Sequence, residues 1–310
     1  LSMFYASSNY GMSFFTQASP AHYIIFLYSG IIIYIKLQKE RNIMEESKLI
    51  KIIKKNPYAI AHIDNPTDEM KLLAVKGNGL ALKNIDNPSK EVQEAALESN
   101  GRAIEFIDNP SEHMKIKAIN SGWTNLEFIK NPTDKLIELA INQAGWAIKY
   151  IDNPSEELQL LAVRKNYESL KFIKEPSERV QEEAVKISYD ALRYINSPSH
   201  NAQFMAVKNN YKAINLINNL DKNKILEFLK VNFLVIKYFI KEITKEELEQ
   251  LLKEQLSKED VDEKYVRDFL NYNNTDKNNH IIPENKVMFI YKYGSKKAKK
   301  VTVDEKLKIV

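Results

Sequence analysis

Seven prolines stand 22 residues apart along this chain: Pro66, Pro88, Pro110, Pro132, Pro154, Pro176 and Pro198. Equal spacing of that length is the signature of a repeat architecture, in which each unit is one supersecondary element stacked on the next. Asn precedes the proline in five units, with Glu175 and Ser197 as the exceptions, and Ser or Thr follows it in all seven. Asn is a good N-cap and proline suits the first helical position, so this phrase reads as a helix start. Acids at Asp68, Glu112, Asp134, Glu156 and Glu178 would then face the positive end of the helix dipole.

Eight residues past each proline is an alanine, from Ala74 to Ala206, with Val, Leu or Ile directly after it and an apolar residue four before it. That spacing is one face of a helix. The unvarying alanine implies a crossing too close for a larger side chain. Asn-Gly in "KGNGLAL" (76–82) and "ESNGRAI" (98–104) reads as a left-handed C-cap. A shorter apolar helix follows and ends on isoleucine, from Ile85 to Ile217. Neither helix can bury its face alone, so stacking is required.

The expected fold is therefore all-α: an α-solenoid of 22-residue helix–short-helix repeats over residues 44–241. Seven regular repeats (66–219) lie between degenerate caps at 44–65 and 220–241, with Phe228 replacing the alanine in the second. The pattern Pro-Ser-x-x-Val-x-x-x-Ala-Val-x-x-Asn resembles the leucine-rich variant repeat, a short HEAT-like solenoid. "KGNGLALKNI" also resembles bacterial and phage repeats of unknown function built around Asn-Gly-x-Ala-Leu. The first resemblance implies an α-helix paired with a 3₁₀-helix in each unit. It is silent on activity. The leucine-rich variant prototype is associated with an iron–sulfur segment, which a chain with no cysteine cannot ligate in that way.

Residues 242–310 read as a C-terminal appendage. "TKEELEQLLKEQL" (244–256) opens with a capping box from Thr244 to Glu247, and residues 258–272 look like a second amphipathic helix. "KVMFIYKYG" (286–294) and "VTVDEKLKIV" (301–310) read as a small β-hairpin around the basic loop "SKKAKK". At the other end, "HYIIFLYSGIIIYI" (22–35) is strongly apolar but shorter than the roughly 20 residues a spanning helix needs. "QKERNIM" (38–44) can be encoded with AAGGAG ahead of an ATG. Residues 1–43 are therefore read as translated upstream sequence before a start at Met44, the alternative being a weak membrane anchor through residues 21–35. Cytoplasmic localisation is the expectation under the first reading.

No catalytic residue, metal ligand set or cofactor is implied. The five histidines (His22, His62, His113, His200 and His280) fall at no metal-ligand spacing, and no phosphate loop, nucleophile motif or paired-carboxylate motif is present. Without cysteine, thiolate metal sites and a cysteine nucleophile are excluded as well. What remains is a stripe of aromatics just before the closing isoleucine: Phe106, Phe128, Tyr150, Phe172, Tyr194 and Tyr238. These rings either grip a partner or pack neighbouring units together. One place earlier runs a row that turns basic toward the C-terminus, with Lys149, Lys171, Arg193 and Lys237. The expected function is a non-enzymatic scaffold for a protein or peptide, with no small-molecule substrate. The alternative is a nucleic-acid-binding solenoid using the basic C-terminal half. Net charge weighs against that alternative, because residues 66–220 carry −2 while residues 1–65 and 221–310 carry +3 each.

Overall fold

The computed structural model describes residues 20–273 and 281–308. After a long α1 (Pro20–Lys55) come seven ten-residue helices at the repeat spacing: α2 (Asp68–Gly77), α3 (Lys90–Ser99), α4 (Glu112–Ser121), α5 (Asp134–Gln143), α6 (Glu156–Lys165), α7 (Glu178–Ile187) and α8 (His200–Asn209). Each is followed by a six-residue 3₁₀-helix, such as Gly79–Asn84 after α2 and Tyr167–Phe172 after α6. A further pair, α9 (Lys222–Val231) and Phe233–Val235, leads into α10 (Ile236–Phe239), α11 (Lys245–Leu256), α12 (Glu263–Asn271), α13 (Lys286–Tyr293) and α14 (Lys296–Leu307). Among the described residues there is no strand. The protein is all-α, with successive packed pairs of one α-helix and one 3₁₀-helix.

The described residues divide into two compact units, one ending at Ala118 and one beginning at Ile119. In the first unit α2 lies against α3, and the end of α1 lies against α2, burying Ile53 completely. In the second unit α5 to α9 pack each on the next, and their short helices do the same. The core follows the repeat register. All seven alanines from Ala74 to Ala206 are fully buried, beside Val75, Leu97, Ile119, Ile141, Val163, Val185 and Val207. A second small position, fifteen residues after the proline, is buried as well, at Ala81, Ala103, Asn125, Ala147, Ser169, Ala191 and Ala213. One small residue on each helix of the pair lets backbones approach.

The start of each unit differs from the sequence expectation by one residue. The cap is the Ser or Thr after the proline, not the Asn before it. Thr67, Ser89, Ser111, Ser155, Ser177 and Ser199 each accept a backbone N–H three residues on, at 3.1–3.4 Å. The Asn adopts a left-handed backbone instead, with φ between 47° and 54° at Asn65, Asn87, Asn109, Asn131 and Asn153. Asn tolerates that region better than other side chains, which explains its place ahead of the proline. Glu175 and Ser197, where Asn is missing, do not enter it; Asn219, followed by leucine, does.

The turn between the helices also departs from the expected left-handed Asn-Gly. Asn78 is extended, at φ −156°, and no described glycine adopts a left-handed backbone. Asn78 ends one helix and starts the next: its N–H donates to the Ala74 carbonyl at 2.9 Å, and its side chain accepts from Leu80 N–H at 3.0 Å. Asn56, Asn100, Asn166, Asn210 and Asn232 repeat the side-chain contact, as does Ser188. Glycine follows for clearance. A Cβ on Gly79 would lie 2.2 Å from the Ala96 carbonyl oxygen, and one on Gly145 would lie 2.5 Å from that of Ala162. The short helix of one unit therefore touches the alanine backbone of the next.

The expected β-hairpin is replaced by α13 and α14. The residues read as alternating carry a helical period: Ala298, Val301 and Thr302 are buried, while Ser295 caps the helix through Ala298 N–H at 3.1 Å. The loop "SKKAKK" is the first turn of α14. The expected capping box holds, with Thr244 and Glu247 bonded reciprocally at 3.2 and 2.9 Å. Among the described residues no helix is long and apolar enough to cross a membrane. Residues 1–19, 274–280 (with His280) and 309–310 lie outside the described residues, as does the side chain of His22.

Candidate partner-binding face

Each ring of the aromatic stripe is the last residue of its 3₁₀-helix, except Tyr238, which lies in α10. Four of the predicted rings are half-buried and two are exposed. Phe106, Phe128, Tyr150 and Tyr194 are half-buried; Phe172 is 40% exposed and Tyr238 is 41% exposed. Phe106 belongs to the first unit and the other five to the second.

Three rings of the stripe meet a ring of the preceding unit. Tyr150 meets Trp123 at 6.0 Å between centroids, Tyr194 meets Tyr167 at 6.3 Å, and Tyr238 meets Tyr211 at 6.0 Å. In each case the partner opens the preceding 3₁₀-helix, 27 residues earlier. For Phe172 that position is Gly145, so no ring stands beside it there. The sequence held this signal: from the second unit on, the residue after the inter-helix Asn, Ser, Gly or Ala is either glycine (Gly79, Gly101, Gly145) or aromatic (Trp123, Tyr167, Tyr189, Tyr211).

The three lysines of the row lie on aromatic rings. Lys149 Nζ is 5.4 Å from the Trp123 centroid and 4.6 Å from that of Tyr150. Lys171 Nζ stands between Trp146, at 5.9 Å, and Tyr194, at 4.7 Å. Lys237 covers Tyr211 at 4.7 Å. The first unit has the same device in Lys83 over Tyr58, at 5.2 Å. Each such contact contributes about 0.5–1 kcal/mol at an exposed site.

Two of the four cations are also paired with acids. Lys171 binds Glu168 at 3.0 Å and Arg193 binds Asp190 at 2.9 Å, both three residues back on the same short helix. These hydrogen bonds are the main reason both groups sit above their ordinary pKa values. The face is thus a ladder of rings bridged by lysines, with acids interspersed, and not an uncompensated positive strip.

A groove of about 790 Å³ opens beside Phe172, between the turns at 151–154 and 173–175. Lys149, Lys174, Asp152 and Glu175 edge it, and Gln159 reaches its floor. The Gln159 amide donates to the Pro154 carbonyl at 2.9 Å, while its oxygen is buried without a partner. In the following unit the matching Gln181 oxygen accepts from Ser199 N–H at 2.8 Å.

His62, His113 and His200 are exposed, and His200 lies 3.9 Å from Glu227. No group of three metal-ligating side chains occurs among the described residues. No family model, curated protein or solved structure matches the chain.

Proposed function

We propose that this chain is a non-enzymatic scaffold of the short HEAT-like kind, acting in the cytoplasm and binding a protein or peptide along the face that carries its 3₁₀-helices. The observation that carries the reading is the periodic ring-and-lysine ladder of residues 123–238, whose rings are half-buried and edge-exposed in successive units. Aromatic side chains with an anchored base and an open edge are what interface hot spots are built from. Rings held by lysines lose little rotamer freedom when a partner arrives, which favours binding.

Replacing Tyr150, Phe172 and Tyr194 together by alanine is expected to abolish capture of partners from the native host, read by affinity capture and mass spectrometry, with helicity retained. Unfolding of the triple variant would make the ladder part of the core. Unchanged capture would move the binding face elsewhere.

A nucleic-acid reading draws on Lys149, Lys171, Arg193 and Lys237. The pairing of Lys171 with Glu168 and of Arg193 with Asp190 speaks against it, since phosphate binding relies on uncompensated cations. A fluorescence-anisotropy titration with mixed oligonucleotides at low salt tests this; binding that falls steeply with salt would favour it over the peptide scaffold.

A further inference from the structure

Helices α13 and α14 close the C-terminal end with an unusual division of labour. Their inner sides are structural. Ile290 and Ala298 are fully buried, and Val301 and Thr302 nearly so. Lys286 turns inward to donate to the Leu270 and Tyr272 carbonyls at the end of α12, and burial lowers its pKa. Glu305 binds Arg267 at 2.9 Å and Asn271 at 2.9 Å.

The outer sides do something different. On α13 they present Met288, 57% exposed, and Tyr291, 70% exposed, next to Lys292. On α14 the stripe Lys296, Lys299, Lys300, Val303 and Leu307 recurs at helical spacing, and Leu307 is 66% exposed. Lys299 Nζ lies 5.7 Å from the Tyr291 ring centroid, which joins the two outer sides into one surface. Residues 286–308 hold eight lysines against Asp304 and Glu305, a net of six positive charges, in a chain whose total is +4. The segment holds no arginine.

We infer that this outer surface of α13 and α14 docks on an anionic lipid bilayer. Clustered lysine interleaved with exposed aliphatic and aromatic side chains is the composition of a helix that lies in the headgroup region. The aliphatic members decide between partners. Met288, Val303 and Leu307 gain nothing from a phosphodiester backbone but are transferred from water into the acyl boundary. Lysine suits diffuse headgroup charge, whereas bidentate phosphate recognition favours arginine. The surface is separate from the ladder proposed above, and neither reading depends on the other.

The test is co-sedimentation of the full chain with two sets of vesicles at about 0.1 M salt, where surface charges still act over about 10 Å. One set is phosphatidylcholine alone; the other is two parts phosphatidylcholine to one part phosphatidylserine. Binding is expected only to the second set. Lys296→Glu, Lys299→Glu and Lys300→Glu together are expected to lower partitioning about 100-fold or more, since each lysine contributes about fivefold. Met288→Ser with Tyr291→Ser should weaken binding severalfold without changing helicity, and Lys299→Gln alone should cost about fivefold should the triple variant misfold. Equal binding to neutral vesicles, which the exposed apolar residues of α1 would produce, overturns the inference. So does binding indifferent to these variants, absence of vesicle binding, or oligonucleotide binding through the same lysines in place of it.

Discussion

The regular units and the unit that follows them differ most in side-chain volume where the α-helix crosses its neighbour. In a regular unit such as α8 with Tyr211–Leu216, the crossing residue is Ala206 and the short helix opens on Tyr211. In the next unit the equivalents are Phe228 and Phe233, both fully buried. At the crossing, alanine admits another copy of the same brick, and Phe228 takes its place in the unit after the last regular one; at the opening position half-buried Tyr211 gives way to fully buried Phe233. Phe233 then gathers Phe269, Tyr272 and Tyr265 edge-on, at 5.2, 5.6 and 6.1 Å, so that α12 takes the role of the missing neighbour. Lys222–Glu247 and Lys230–Glu254 ion pairs, at 2.8 and 3.0 Å, tie α9 to α11 at the rim. Stacking is a property of the interface, and one side-chain volume decides whether it continues.

Phe233→Ala is expected to cost about 3–5 kcal/mol in urea unfolding, because the collapsed cluster loses its centre. The reverse fault, Ala184→Leu in a regular unit, should cost about 1–3 kcal/mol by overpacking. An equal cost for Ala184→Leu and Ala184→Gly would mean that the crossing is not tight. Gly145→Ala belongs with the overpacking class, since its Cβ meets the Ala162 carbonyl and the Ser169 hydroxyl at 2.5 and 2.7 Å.

Caps give smaller effects. Ser155→Ala should lower stability by about 1 kcal/mol, measured by the same unfolding midpoint. Asn153→Ala should cost about 1–2 kcal/mol for its left-handed backbone, while Glu175→Ala, whose backbone is not left-handed, should stay within about 0.5 kcal/mol. Lys149→Ala should cost about 0.5–1 kcal/mol for its place over Trp123 and Tyr150.

Much of this was legible in the residues. Period, helix pairing, buried alanine and terminal isoleucine follow from spacing, because a 22-residue unit leaves each apolar position only one direction to face. Cap details were misassigned because Asn, Pro and Ser all favour helix starts, and only backbone angles show which one bonds. Glycine was assigned a left-handed turn although its real demand was clearance from a carbonyl of the next unit, a contact that lies outside any local window. Residues 286–308 misled through β-branched and aromatic content, although Ala298, Val301 and Thr302 already kept a helical interval. The ring partners Trp123, Tyr167 and Tyr211 were missed because they belong to the preceding unit, 27 residues from the rings they touch.

One pair of deletions addresses the interchangeability of the bricks directly. Removing residues 155–176 joins Pro154 to Ser177 and excises one whole unit in register; removing 220–310 takes away the Phe-bearing closure. Thermal melting with size-exclusion chromatography is expected to show the first variant monomeric, helical and cooperative. The second should melt about 10 °C lower or more, or self-associate through its uncovered end. A collapsed first variant, or a second one that stays monomeric with the parent's Tm, would contradict the account.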